Sequence, residues 1–398
     1  MRILWHGPPS DFPTGYGTQT GLFTRALRDL GHDVAISAAC YQYITKLNED
    51  GILTFASGPR HWTAGNDHIE GHIREFKPDI VLSIIDVFAL DSKKFGAARW
   101  FPMVMVDSEP LLPQNAARLK DCERPIAVTQ HGLRVMQAAG FDPAYVPLMY
   151  DPAVFNVQDR DAAREEMSRA MGIDLTDRFL AVMVAANMSA PSRKNFGAAF
   201  SAWSMFVKDH PTALLYVHTE ATGKMSTGEN LIQAVKGYGI ETSVHFPDQY
   251  RYNTGGFKED WLAMLYNAAD VYLCTSRGEG FCLPLVEAQA CGCPAIATEF
   301  GATNELCLAG DAIPGRRWMY HPGTEQCMID VSKLFGAMHL YLAGDRYPHR
   351  DCNSEMVEDY ANGNVIRGPL STFLDSIKPK GKRRHENKAH PQRALAPA

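Results

Sequence analysis

The chain has no window of about 18 consecutive apolar residues, the length that a membrane-spanning helix needs. Its start, "MRILWHGPP", leads into a strand and not into a long apolar signal core. Both absences predict a cytosolic protein. Among the nine cysteines, at 40, 122, 274, 282, 291, 293, 307, 327 and 352, no CxxC spacing occurs, and Cys291 and Cys293 flank a single glycine. That argues against a zinc knuckle and for reduced, mostly buried thiols that behave as small hydrophobes. No set of His, Asp or Glu has metal-ligand spacing, so no metal is expected. The GxGxxG fingerprint of a dinucleotide site is missing, and so is any short-period repeat.

What is present describes a globular chain. At 398 residues, 45% hydrophobic and 21% charged, it is long enough for two cores of domain size. Charge is unevenly placed. "SIKPKGKRRHENKAHPQRALAPA", from 376 to the end, holds seven Lys or Arg against one Glu; removing its net +6 from the chain's −6 leaves −12 for the rest. Such an acidic body repels a polyanion. The tail is too poor in apolar residues to fold, and reads either as a solvated tail or as an electrostatic tether to nucleic acid or another acidic surface.

Short apolar runs alternate with amphipathic stretches along most of the chain. "RILWHG", "DVAIS", "DIVLSII", "WFPMVMVD", "PIAVTQ" and "AYVPLM" read as buried strands, because continuous aliphatic runs suit a sheet covered on both faces. Between the first two, Leu22, Phe23, Ala26, Leu27 and Leu30 lie at helical spacing, and Gly31 stops that helix. The pattern restarts at "RFLAVMVAANM" and runs through "ALLYVHT", "VHFPD", "VYLCTS" and "PAIAT". The predicted fold class is α/β, with two Rossmann-like, doubly wound parallel-sheet domains facing across a cleft. The expected organisation is an acceptor domain over 1–150, a polar linker over 151–177 and a donor domain over 178–345. A helical segment over 346–376 and a basic, disordered tail over 377–398 complete it.

Ligands of open α/β sheets sit beyond the carboxyl ends of the strands, so candidate residues are those that follow strands. Gly15 and Gly17 in "GPPSDFPTGYGTQTG" would let backbone approach an anion at a helix start, or simply serve a turn. Arg193 and Lys194 in "NMSAPSRKNFG" would suit a diphosphate, or form a solvated basic turn. His6, His131 and His218 each follow a strand and either face the cleft or are satisfied structural histidines. Of the three, His218 is the best placed for a donor contact. In "SRGEGFCLPLVEAQACGCPAIAT", Glu279 lies on a glycine-flanked turn and Glu287 eight positions later, inside an apolar run.

This last stretch resembles the donor-site signature of retaining nucleotide-sugar glycosyltransferases of GT-B fold, the "glycosyltransferase group 1" type with an E-x7-E motif. "TGYGTQTGLFTRALRDLGHDV", "YDPAVF" and "SRKNF" are similar, more loosely, to other parts of that family. The resemblance implies that Glu279 binds donor-sugar hydroxyls and that the N–H groups of Gly280, Phe281, Cys282 and Leu283 meet the sugar and diphosphate. Glu287 would take the ribose hydroxyls, and Lys194 would neutralise the leaving diphosphate. It implies no cofactor beyond a nucleotide-sugar co-substrate, and no metal. The chain departs from the family pattern in three places. Met188 stands where an arginine is common, so the leaving-group clamp falls to Arg193 and Lys194; Asp107 and Glu109 stand where a histidine is common; Cys282 replaces glycine. Asp107 would bind or deprotonate an acceptor hydroxyl, or cap its strand.

The expected function is retaining transfer of a sugar from a nucleotide-diphosphate donor to an acceptor hydroxyl, with Glu279, Lys194, Arg193 and Asp107 in catalysis. Alternatives are a hydrolysing sugar-nucleotide epimerase and a non-catalytic sugar-nucleotide binding protein. The acceptor, whether small molecule, glycan, lipid, protein or modified nucleic acid, stays open.

Overall fold

The computed structural model describes residues 1–58, 63–225, 227–344, 346–347 and 349–377. The basic tail lies outside the described residues from 378 onward. In the first domain eight strands form one sheet: β1 (Arg2–Gly7), β2 (Asp33–Ala38), β3 (Lys46–Leu47), β4 (Leu53–Phe55), β5 (Ile80–Ile84), β6 (Trp100–Val104), β7 (Ile126–Ala127) and β8 (Ala144–Tyr145). Their spatial order is β3-β4-β2-β1-β5-β6-β7-β8, parallel apart from the β3–β4 pair. The second sheet holds β9 (Leu180–Val184), β10 (Leu214–His218), β11 (Val244–His245), β12 (Val271–Cys274), β13 (Ala295–Thr298) and β14 (Gly310–Ile313). Its order, β11-β10-β9-β12-β13-β14, is parallel throughout. Both are doubly wound, since order reverses beside β1 and β9 and helices cover both faces.

The strands are where continuous apolar runs predict them, because each is buried on two faces: Ile3, Leu4 and Trp5 are fully buried, and Trp5 stacks on Phe23 of the following helix at 5.2 Å. "PIAVTQ" and "AYVPLM" yield only two paired residues each, at the sheet edge where pairing runs out. Gly15 and Gly17 are not a turn before the helix but its first turn, in Gly15–Asp29. The Thr14 side chain accepts from the Gly17 amide and sets the helix start. Gly17 is required by contact: a Cβ there would lie 2.0 Å from the Phe12 carbonyl oxygen. Gly17→Ala is therefore expected to destabilise the protein by about 1–3 kcal/mol. A urea midpoint equal to that of the wild type would refute this.

Two segments tie the domains together. Helix Arg160–Met171 packs on the second domain, where Arg160 and Arg164 pair with Asp270. The C-terminal helices return to the first: Tyr150 and residues 360 and 362 exchange backbone hydrogen bonds, and Phe373 packs edge-on against Phe101. An antiparallel hairpin, β15 (Gly315–His321) and β16 (Thr324–Ile329), projects from the second domain. The sequence pattern had not signalled it.

Candidate active site

The carboxyl ends of β9, β12, β5 and β6 and the N-terminus of helix Leu283–Ala290 meet where the two domains touch. Proline inside the first turn starts that helix after Cys282, whose φ of 83° belongs to the left-handed region. Geometry leaves its first N–H groups without intrahelical acceptors, so the turn at 280–283 presents a positive field. The opposing helix begins at Gly15, whose missing side chain leaves room for Leu283: a Cβ there would sit 3.1 Å from Leu283 Cδ1. Two helix N-termini thus face each other across the cleft.

Glu279 lies in the loop before the helix and is 5% exposed. Its Oε2 is 2.7 Å from Arg193 Nη1 and its Oε1 is 2.5 Å from Lys194 Nζ. Burial by itself would push the carboxyl up, but the two cations overcome it and hold Glu279 at about 2. Arg193 donates to the Gly278 carbonyl and reaches across to Asp107, with Nε 3.6 Å from Oδ2. Burial works against the guanidinium charge, yet Glu279 and Asp107 keep it fully protonated. Asp107 is raised above the usual carboxylate range by burial, with Arg193 opposing. Beside it Tyr16 donates to Asp86 Oδ1 at 2.9 Å, and burial followed by the Asp86 charge raises the phenol.

The domains are in direct backbone contact here. A Cβ on Gly278 would lie 2.0 Å from the Asp107 carbonyl oxygen, and one on Gly280 would lie 2.5 Å from Met105 Cβ. Only glycine at these two positions allows so close an approach.

Glu287, on the fifth residue of the helix, differs from Glu279 in kind. It is 7% exposed, and the Tyr266 hydroxyl donates to its Oε2 at 3.4 Å. Burial, with Glu259 nearby, pushes it up to about 8. Glu259 in turn accepts from Thr18 of the first domain at 2.8 Å. One carboxyl is thus ionised by partners and the other held neutral by their absence.

The histidines separate. His6 does not face the cleft: it is enclosed by the first domain, bonded to Ser37 and to the Ala64 carbonyl, and lowered by burial to about 4. The reason is that a residue in a central strand points into the helical layer beside it. His218 is walled by Tyr252, Phe257 and Trp261 at 5.1 to 5.2 Å and lowered by burial to about 3, so it is a neutral ring in an aromatic cage. His131 sits at the interdomain seam, 3.8 Å from Glu109, with burial lowering it. Met188 is exposed, and the arginine that lies in the cleft beside Lys194 is Arg193.

Sequence reasoning missed Asp86, Tyr16 and the hairpin. Asp86 carries the same signal as Asp107, an acid directly after a buried strand. Among the described residues no group of three His, Cys, Asp or Glu is placed to hold a metal ion.

Residues 180–335, which include Arg193, Lys194, Glu279 and Glu287, match the family "Glycosyl transferases group 1". That second domain is a group 1 glycosyltransferase domain. The chain is 30% identical over 186 residues to the D-inositol 3-phosphate glycosyltransferase of Mycolicibacterium vanbaalenii, a match covering 45% of this chain and 39% of the relative. A second such enzyme, from Segniliparus rotundus, is 28% identical over 200 residues, 48% of this chain and 41% of its own. The chain therefore spans less than half the length of these curated relatives. Among solved structures, sucrose-phosphate synthase from Thermosynechococcus elongatus superposes with a TM-score of 0.73 at 15% identity, over 94% of this chain and 99% of that one. WaaG, a glycosyltransferase involved in lipopolysaccharide biosynthesis, gives 0.66 at 14% identity over 95% and 100%. Both share the GT-B fold with this chain. As for a membrane, no described helix is long and apolar enough to cross one.

Proposed function

We propose that the protein is a retaining glycosyltransferase that moves a sugar from a nucleoside-diphosphate sugar to an acceptor hydroxyl. The observation that carries this reading is the buried Glu279 carboxylate, gripped by Arg193 and Lys194 at the mouth of a helix N-terminus. Glu279 offsets one of the two positive charges and Asp107 faces the other at Arg193, and a diphosphate entering between the cations frees Glu279 for the sugar hydroxyls.

As the bond from the anomeric carbon to the phosphate oxygen breaks, negative charge grows on the diphosphate. Arg193, Lys194 and the N–H groups at 280–283 meet it, and so stabilise the transition state more than the ground state. No divalent ion is needed for that task. Asp107 and Arg193 form an ion pair, which makes Asp107 a poor covalent nucleophile and suits front-face displacement. In that step the acceptor oxygen bonds the anomeric carbon on the face the phosphate leaves, and the acceptor proton passes to the departing phosphate oxygen. Glu287, one turn into the helix, takes the ribose hydroxyls. On the first-domain side Asp86, Asp107 and Glu109 favour an uncharged polyol over a phosphorylated acceptor. A cytosolic setting is consistent with reduced thiols and a nucleotide-sugar supply.

Calorimetry with UDP, GDP, ADP, CDP and TDP tests the donor half. One nucleotide is expected to bind, stabilising the fold by about 2.7 kcal/mol at a hundredfold excess over Kd. Failure of all five would remove the transferase reading. Binding without any sugar transferred would instead mark a sugar-nucleotide binding protein.

A further inference from the structure

We propose that the β15–β16 hairpin is an interdomain clamp that positions the acceptor loop 107–110 against the donor loop 277–280, with Arg317 and Glu325 as its positioning residues. The inference rests on the transferase reading for its purpose, and on contacts alone for its geometry. Strand β16 touches both loops at once. Toward the donor loop, the Cys327 amide donates to the Arg277 carbonyl at 2.8 Å, and Arg277 lies over the Trp318 ring at 4.3 Å. Toward the acceptor loop, Glu109 and Glu325 exchange two backbone hydrogen bonds, at 2.8 and 3.1 Å. Gln326 Nε2 donates to the Asp107 carbonyl at 3.3 Å, and Arg317 Nη1 is 2.5 Å from Glu109 Oε1 while stacked on Phe300.

Residues two apart on one strand therefore hold opposite walls of the cleft. Glu325 reaches the first domain, Gln326 fills the seam, and Cys327 holds the second domain. A Cβ on Gly278 would lie 3.3 Å from Gln326 Cγ, so the seam is packed as well as bonded. The consequence is geometric: Asp107 faces Arg193 only while the hairpin bridges the loops. A closed cleft holds the first-domain wall in line with the donor groups, the condition for efficient attack by an acceptor hydroxyl or by water.

The Glu325 amide points outward to Glu109 and away from β15, so proline at this position removes an interdomain bond without removing one from the hairpin. The test is the full chain carrying Arg317→Ala with Glu325→Pro, beside Arg317→Lys, which keeps the charge. Backbone hydrogen exchange over 105–111, calorimetry with the cognate nucleoside diphosphate, and hydrolysis of its nucleotide sugar by water are measured on each. The double variant is expected to exchange faster over 105–111 and to lose turnover by about tenfold, with nucleotide Kd within twofold and a cooperative melting transition only slightly lowered. Arg317→Lys is expected to recover most of both. Unchanged exchange over 105–111, or turnover lost in step with nucleotide affinity, would overturn the proposal. Faster exchange in a protein that binds no nucleotide would uphold the clamp and overturn the transferase reading beneath it.

Discussion

Glu287→Gln is expected to make the unliganded protein more stable at alkaline pH while weakening its hold on the nucleotide. The carboxyl sits at about 8 when folded, against an ordinary 4.5, because burial without a cation disfavours its charge. Between those values the folded chain keeps a proton that the unfolded chain has lost. Stability therefore falls as pH rises through that window, by about 1.4 kcal/mol for each pH unit and on the order of 5 kcal/mol across it. Glutamine does not titrate. Urea unfolding at pH 5, 7 and 9 should show wild type and variant nearly alike at pH 5 and several kcal/mol apart at pH 9. Parallel pH profiles would disprove the assignment of a buried neutral carboxyl. The neutral carboxyl both accepts from and donates to the ribose hydroxyls, which glutamine reproduces only in part, so the variant is expected to lose about 0.5–1.5 kcal/mol, or roughly 2- to 10-fold in Kd. A group that destabilises the empty fold and strengthens ligand binding has a functional reason to be there.

Arg193→Ala and Lys194→Ala are each expected to lower turnover by about 10²- to 10³-fold, the magnitude of losing one donor from a site that stabilises developing negative charge. Their structural effects should differ. Arg193 serves Glu279, Asp107 and the Gly278 carbonyl together, so its loss leaves a buried carboxylate with only Lys194 and unpins the first domain. Breaking such a buried pair is destabilising by about 3 kcal/mol. Loss of Lys194 leaves Arg193 in place, and melting should move less. Steady-state kinetics beside thermal unfolding checks both. Arg193→Lys separates charge from shape, because an ammonium keeps the charge but cannot reach three partners in one plane. Equal turnover in Arg193→Ala and wild type would remove Arg193 from the reaction.

The two sheets were legible because burial on both faces writes itself as continuous apolar runs, seen in "RILWHG" and "DIVLSII". The Glu279 loop and the Glu287 helix were legible because eight positions of chain hold both ends of that site. The hairpin was not: β15 is mostly exposed, so it has no period to read, and β16 is buried by distant loops that nothing local announces. His6 and His218 look alike in sequence, each at a strand end, and only packing shows that one is bonded within the first domain and the other enclosed by aromatic rings of the second.

By itself, then, the sequence determined the α/β alternation, the two-domain doubling and the E-x7-E loop and helix, all set by interactions a few residues apart. Tertiary structure alone decided that Arg193 crosses to Asp107, that Tyr16 finds Asp86 and that β16 joins the two loops. These partners are separated by 50 residues or more, and nothing local in a chain encodes which distant side chain a buried charge will meet. The protonation of the two glutamates follows from the same cause. Identical carboxyls at 279 and 287 differ because folding delivers two cations to the first and, among the described residues, none to the second.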